Sequence, residues 1–246
     1  MKIEGPILNN NVKRIGLFFG SFNPPHIGHM SIIANALNYS DKDFSGLDAM
    51  MVIPAWQNPW KIYSRTYDNP PTYNDRLTMT QMICENSFGK DAPVYVWDIE
   101  RQIFQDQLNP QCYTSDVLDT IEEYFKDKSI ELYIVTTMDT FADIIHWHNG
   151  NDILQNWKFC ILEGREDDSY QKMWFTFKYL KKYYNIIPDY VEIPVVTQLD
   201  ISSTMVRNQY TGRWTNYHYR AYFVGGTNVD EFITKNNFYK DKEIYR

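Results

Sequence analysis

Gly20, Ser21, Phe22, Asn23, Pro24, Pro25, His26, Ile27, Gly28 and His29 form one run, and it puts two of the chain's five histidines within four residues. An apolar stretch ends at Gly20 and a helix-period segment begins near residue 27, so the run reads as a strand-to-helix turn. A helix start exposes unpaired N–H groups and the positive end of the dipole, both of which attract phosphate. Gly20 and Gly28 allow close backbone approach, and the two prolines stiffen the loop. Imidazoles at 26 and 29 leave the same helical turn and can donate hydrogen bonds to one phosphate chain. Two readings compete with this one. The first is a turn with incidental histidines; the second is a metal site, for which nearby Cys or carboxylate ligands are lacking.

A second group follows a strand-like segment: Asp200, Ile201, Ser202, Ser203, Thr204 and, one turn on, Arg207. Hydroxyl residues at a helix start cap backbone N–H groups or donate to phosphate, and a guanidinium fork can clamp phosphate oxygens. Taken alone, this is an N-capped helix. Its occurrence with the histidine run gives it chemical meaning.

Elements that could position these residues alternate along the chain. Apolar runs at residues 13–20, 47–54, 93–99, 130–136, 157–163 and 190–195 read as strands covered on both sides. Helix-period segments fall at about 27–39, 73–88, 114–127, 140–155 and 169–184, with a last one at 228–236. This alternation predicts an α/β fold: a Rossmann-like, doubly wound parallel sheet with right-handed crossovers and a helical C-terminal portion from about residue 202. Ligands bind beyond the carboxyl ends of such strands. Residues 55–72, rich in Pro and aromatics, read as a substrate loop, and residues 100–112 as a second loop. One domain is expected over residues 1–246.

The chain has 246 residues, 43% hydrophobic and 22% charged, as an ordinary globular protein does. A net charge of -7 argues against a nucleic-acid partner. Cys84, Cys112 and Cys160 form no CxxC pair, which suits a reducing cytoplasm. No apolar h-region opens the chain and no apolar run has membrane-spanning length, so neither a signal peptide nor a membrane partner is expected.

The two groups resemble the HxGH and ISSTxxR signatures of the nucleotidyltransferase superfamily, and more narrowly those of nicotinate/nicotinamide mononucleotide adenylyltransferases. The resemblance runs along nearly the whole chain. Residues 54–61 (PAWQNPWK) are similar to the family's loop after the second strand, Tyr113 and Thr114 to its SYT segment, Met138, Asp139 and Trp147 to its GxD…W region, and residues 232–239 to its C-terminal helix. Four positions depart from the pattern: Asn23 for Asp, Cys112 for Ser, Thr137 for Gly and Trp60 for His.

The resemblance implies that a mononucleotide 5′-phosphate attacks the α-phosphorus of ATP and releases pyrophosphate, with Mg²⁺ bridging phosphate oxygens. His26, His29 and Arg207 are the implied catalytic residues. Gly20, Ser21, Phe22, Gly28, Asp139, Ile201, Ser202, Ser203 and Thr204 are the implied ATP contacts. Asn23, Lys61, Tyr113, Thr114 and Trp147 are assigned to the mononucleotide, with Trp147 stacking on its pyridine ring. The NPWK loop and the Tyr113–Thr114 step are closest to the bacterial nicotinate type. His146 and His148, lacking further ligands, do not read as a metal site. ATP and a pyridine mononucleotide are the expected partners, and a homo-oligomer is compatible with the sequence. Cytidylyl or phosphopantetheine adenylyl transfer shares the HxGH core. A catalytically silent nucleotide sensor would be expected to have lost a motif residue.

Overall fold

The computed structural model describes residues 3–57, 66–108, 111–164, 168–195, 201–211 and 219–241. Six strands form one parallel sheet: β1 (Arg14–Gly20), β2 (Ala49–Pro54), β3 (Val94–Val96), β4 (Glu131–Thr137), β5 (Lys158–Leu162) and β6 (Asp189–Ile193). Their order is β3-β2-β1-β4-β5-β6. β1 pairs with β2 from Ile15 opposite Ala49 to Gly20 opposite Pro54, and with β4 from Arg14 opposite Glu131 to Leu17 opposite Ile134.

Alternate residues of each strand enter different cores, because side chains on a strand point to opposite faces. Phe18, Met50, Val52, Val135 and Leu162 join the core under α1 (Ile27–Asn38) and α2 (Tyr73–Phe88). Leu17, Met51, Ile53, Ile134 and Ile161 join the other, which includes Val117, Leu118 and Ile121 of a helix at Thr114–Phe125. Burial of each such Val, Leu or Ile side chain stabilises the fold by about 1.5–3 kcal/mol. Both faces of the central strands are covered, which is why all six residues of β2 are buried.

The six strands fall where the apolar runs predict them, and β3 is shorter than its run because a helix starts soon after Trp97. That helix, α3 (Ile99–Phe104), replaces the first half of the loop expected at 100–112. The helix at Thr114–Phe125 is α4. The single helix expected at 140–155 is broken. α5 (Met138–Asp143) runs into a 3₁₀ turn (Ile144–His146), and α6 (Gly150–Asn156) starts afresh. Asn149, in the left-handed region at φ 54, ends the first segment. A Cβ on Gly150 would sit 2.0 Å from the Ile144 carbonyl oxygen, so only glycine allows this fold-back.

α7 (Ser169–Tyr184) crosses from β5 to β6, and among the described residues three helices follow: α8 (Ser203–Asn208), α9 (Arg220–Phe223) and α10 (Thr227–Lys235). Val229 and Ile233 of α10 pack into the core under α1 and α2, so the C-terminal portion is built onto the sheet domain. Among the described residues, no helix is long and apolar enough to cross a membrane.

Candidate active site

β1 and β4 are neighbours in the sheet, yet their following helices pack on opposite faces, which opens a crevice beyond Gly20 and Thr137. The histidine run crosses its mouth. His26 is the N-cap of α1 and 5% exposed. Its backbone N–H donates to His29 Nδ1 at 3.1 Å, and the two rings lie 3.7 Å apart, tilted by 33°. With Nδ1 accepting, neutral His29 carries its proton on Nε2, the nitrogen a phosphate oxygen needs as a donor. A Cβ on Gly28 would come within 2.9 Å of His26 Nδ1 and 3.2 Å of Ile201 Cγ2, so this glycine lets the ring and the second motif close over α1. Phe22, at φ 44 and 1% exposed, packs edge-on against His29 at 5.0 Å and against Phe18 at 5.7 Å. Gly20 makes room for that ring, since a Cβ there would lie 2.9 Å from it.

One cavity is lined by His26, Gly28, His29, Asp139, Trp147 and Ile201, six residues that the sequence places in three separate segments. Ser31, Asn35, Thr136, Thr140 and Glu163 share the wall without having been foreseen. Ser31 and Asn35 lie one and two turns into α1, Thr140 is in α5, and Thr136 and Glu163 are at the ends of β4 and β5, places where a lone polar residue carries little signal. Asp139 has a buried Oδ1 with no hydrogen-bond partner, and a Cβ on Gly164 would approach it to 2.7 Å. Thr137 stands at the N-cap position of α5 without a side-chain cap bond, its hydroxyl donating to Thr140 Oγ1 at 3.3 Å. Among the described residues, no three His, Cys, Asp or Glu side chains group as metal ligands.

The remaining motif residues form a support behind this wall. Ser202 caps α8 by accepting the Met205 N–H at 3.1 Å, and Ser203 Oγ donates to the Pro24 carbonyl at 2.9 Å. Arg207 is 8% exposed and donates to the Asn23 carbonyl at 2.6 Å, Thr204 Oγ1 at 2.8 Å and the Tyr67 hydroxyl at 3.2 Å. Asn23, in turn, accepts the Tyr239 hydroxyl on Oδ1 at 2.6 Å. Tyr67 and Tyr239 meet edge to face at 5.7 Å. The second motif and the C-terminal segment therefore both grip the loop that carries the histidines.

On the β2 side, Lys61 lies outside the described residues. Tyr113 is the N-cap of α4 and Thr114 its first residue. The Tyr113 ring stacks on His148 at 4.0 Å with an angle of 18°, which joins this segment to the one carrying the half-buried Trp147. Cys112 accepts the Gln57 N–H on sulfur, and burial first, then the Glu100 charge, pushes its thiol up to about 12. It stays a thiol and is no nucleophile.

Sequence reasoning missed Arg76 and Glu100, which are buried at 8% and 5% exposure. Burial pushes the Glu100 carboxyl up to about 7, against the lowering pull of the Trp56 N–H and the Arg76 charge. The available signal was an acidic residue among Trp97, Ile99 and Ile103, where a solvated face would be polar.

The sequence pattern of the cytidylyltransferase-like family matches residues 17–209. A probable nicotinate-nucleotide adenylyltransferase of Clostridium botulinum (strain Eklund 17B / Type B) is 26% identical over 231 residues, covering 94% of this chain and 100% of the relative. One from Fusobacterium nucleatum is 30% identical over 155 residues, covering 63% of this chain and 69% of its own. Among solved structures, the Plasmodium falciparum nicotinic acid mononucleotide adenylyltransferase complexed with NaAD superposes with a TM-score of 0.67 at 18% identity, over 92% of this chain and 97% of that one. The match runs from within β1 through α8 and so takes in both the histidine run and the segment from Ile201 to Arg207: the chain belongs to the cytidylyltransferase-like family.

Proposed function

We propose that this chain is a nucleotidyltransferase that moves the adenylyl group of ATP onto the 5′-phosphate of nicotinate mononucleotide, forming deamido-NAD and pyrophosphate. The observation that carries the reading is the paired His26 and His29 at the start of α1, on one cavity wall with Asp139, Trp147 and Ile201. The curated relatives bear the same activity in their names.

The attacking group is a phosphate oxygen, already ionised near neutral pH, so no general base is required. Rate enhancement then comes from alignment of nucleophile and α-phosphorus, and from donors aimed at the charge that develops on the phosphates. His29 Nε2–H and the N–H groups at the start of α1 supply such donors. Arg207 would reach a phosphate oxygen by exchanging one of its present bonds, to Thr204 or Tyr67, for it. Ser202, Ser203 and Thr204 hold the start of α8 in place for that exchange. Gly20, Ser21 and Phe22 shape the loop, and Asn23 fixes its turn.

Mg²⁺ fits the donor set as a partner of the nucleotide. The described cavity wall offers the Asp139 and Glu163 carboxylates and no cage, and Mg²⁺ characteristically takes one or two carboxylates together with phosphate oxygens and water. When bound, it neutralises phosphate charge. Asp139, whose buried Oδ1 lacks a hydrogen-bond partner, would be the residue to hold it.

The mononucleotide is assigned to Lys61, Tyr113, Thr114 and Trp147, with the Trp147 ring covering the pyridine. A carboxylate on that ring accepts hydrogen bonds only, so backbone N–H groups in the first turn of α4, from Thr114 on, favour nicotinate over the amide. Cytosolic operation accompanies this reading. Steady-state kinetics with ATP and Mg²⁺ against nicotinate mononucleotide, nicotinamide mononucleotide and phosphopantetheine, and with CTP in place of ATP, test it. The expected result is turnover on the pyridine mononucleotides with a higher kcat/KM for nicotinate. Turnover confined to CTP or phosphopantetheine would overturn the assignment.

A further inference from the structure

Beyond β2 the chain is gripped from several directions within three residues. The Ala55 N–H donates to the Gly20 carbonyl at 2.9 Å. Arg76 Nη2 donates to the carbonyls of Ala55 and Trp56 at 2.7 and 3.0 Å, while its Nη1 donates to the Ser21 carbonyl at 2.7 Å. The Trp56 N–H donates to Glu100 Oε2 at 2.7 Å. The next N–H, that of Gln57, meets the Cys112 sulfur. The Trp56 ring leans on Tyr73 at 4.9 Å. The segment after β2 is thus tied to the phosphate loop at Ser21 on one side and to the Cys112–Tyr113 segment on the other.

Glu100 is the costly member of this arrangement. A single backbone N–H needs only a neutral acceptor, yet the fold supplies a carboxylate that is 5% exposed. Burying a charge is expensive unless it is well paired, and here burial outweighs the pull of the Arg76 charge and the Trp56 N–H on the carboxyl. No catalytic step proposed above uses Glu100. A costly group at the junction of three ligand-side segments points to a role in holding them.

We infer that Glu100 is a positioning residue for the acceptor. By holding the Trp56 N–H it fixes residues 55–57 against the Ser21 and Cys112 segments, and so sets the mononucleotide side of the site. The inference rests on the proposed adenylyl transfer, because that reading assigns the mononucleotide to this side. The ATP contacts proposed on α1 and at Asp139 receive no bond from Glu100 or Trp56 and depend on it little.

The test compares wild type, Glu100→Leu and Glu100→Gln, with Glu100→Met as a second apolar variant should Leu prevent folding. Gln keeps an oxygen able to accept the Trp56 N–H; Leu and Met do not. The apolar variants are expected to raise KM for nicotinate mononucleotide about 10-fold or more while KM for ATP moves less than about threefold. Glu100→Gln should recover most of the loss. Hydrogen exchange at the Trp56 and Gln57 amides should quicken about 10-fold or more in the apolar variants and stay near wild type in Glu100→Gln. Equal KM effects on both substrates, or unchanged exchange at those amides, overturn the inference while wild-type activity leaves the proposed function standing. A wild-type protein that turns over neither mononucleotide overturns both.

Discussion

His29 shows how much chemistry one side chain takes from its neighbours. Its Nδ1 is occupied by the His26 N–H at 3.1 Å, and Phe22 meets it at 5.0 Å, so its tautomer and its ring plane are set before any ligand arrives. Removing one preorganised donor to developing charge costs about 100-fold or more in turnover. His29→Ala should show that loss with an unchanged far-UV spectrum, and turnover within about threefold of wild type would remove His29 from the catalytic set. Gly28 supports the same arrangement sterically. A methyl group there would lie 2.9 Å from His26 Nδ1, so Gly28→Ala should lower kcat/KM for ATP about 10-fold or more, read by steady-state kinetics. Such residues were legible because their meaning lies in local spacing. The partners of Arg207 were not, since Tyr67 and Asn23 lie 140 and 184 residues away along the chain.

Elements were legible to the extent that their signal was periodic and uninterrupted. The four inner strands announced themselves through continuous apolar runs, because a strand covered on both faces has no polar side to confuse the pattern, while the edge strand β6 is mostly exposed and its run is interrupted by Glu192. The stretch from Met138 to Asn156 kept a helical rhythm but not a helical backbone. Asn149 and Gly150 break it, and the break leaves half-buried Trp147 on the cavity wall. α3 was missed because six residues carry too little pattern. The C-terminal segment matters in a way that only tertiary structure reveals. After α10, Asn237 and Tyr239 adopt φ of 54 and 63, turning the fully buried Tyr239 back toward Asn23. Tyr239→Phe keeps the ring but leaves Asn23 Oδ1 without its 2.6 Å donor. Urea denaturation should show a loss of about 1–3 kcal/mol, the usual penalty for an orphaned buried acceptor. A midpoint equal to wild type would mean that the hydroxyl contributes nothing.

At the scale of the whole molecule, the sheet order makes the crevice and the buried charge beside it makes stability depend on pH. Strand adjacency was not readable from the sequence, but the reversal between β1 and β4 follows once the alternation of strands and helices is accepted. Glu100 was unreadable because its burial is set by α2, α3 and the segment after β2 together. Its carboxyl titrates near 4.5 in an unfolded chain and is pushed up to about 7 here by burial, opposed by the Trp56 N–H and Arg76. Among the described residues, Tyr73 and Arg76 on α2, Asp98 and Arg101 around α3, and Cys112 and Asp116 beside and on α4 are the other titratable and charged groups around it. A group that holds its proton more tightly when folded contributes stability that is full below about 4.5 and is lost as pH rises to about 7. That interval, at about 1.4 kcal/mol per pH unit, corresponds to about 3 kcal/mol. Against a total stability of about 5–15 kcal/mol the effect is measurable. Urea denaturation of wild type and Glu100→Gln from pH 4.5 to 8.5 isolates it, because the other titrating groups are common to both proteins. The difference in unfolding free energy should shift by about 3 kcal/mol in favour of the variant across that range and flatten above pH 7. A difference that stays constant with pH would mean that Glu100 titrates as a solvated carboxylate, and the cost ascribed to its burial would be absent.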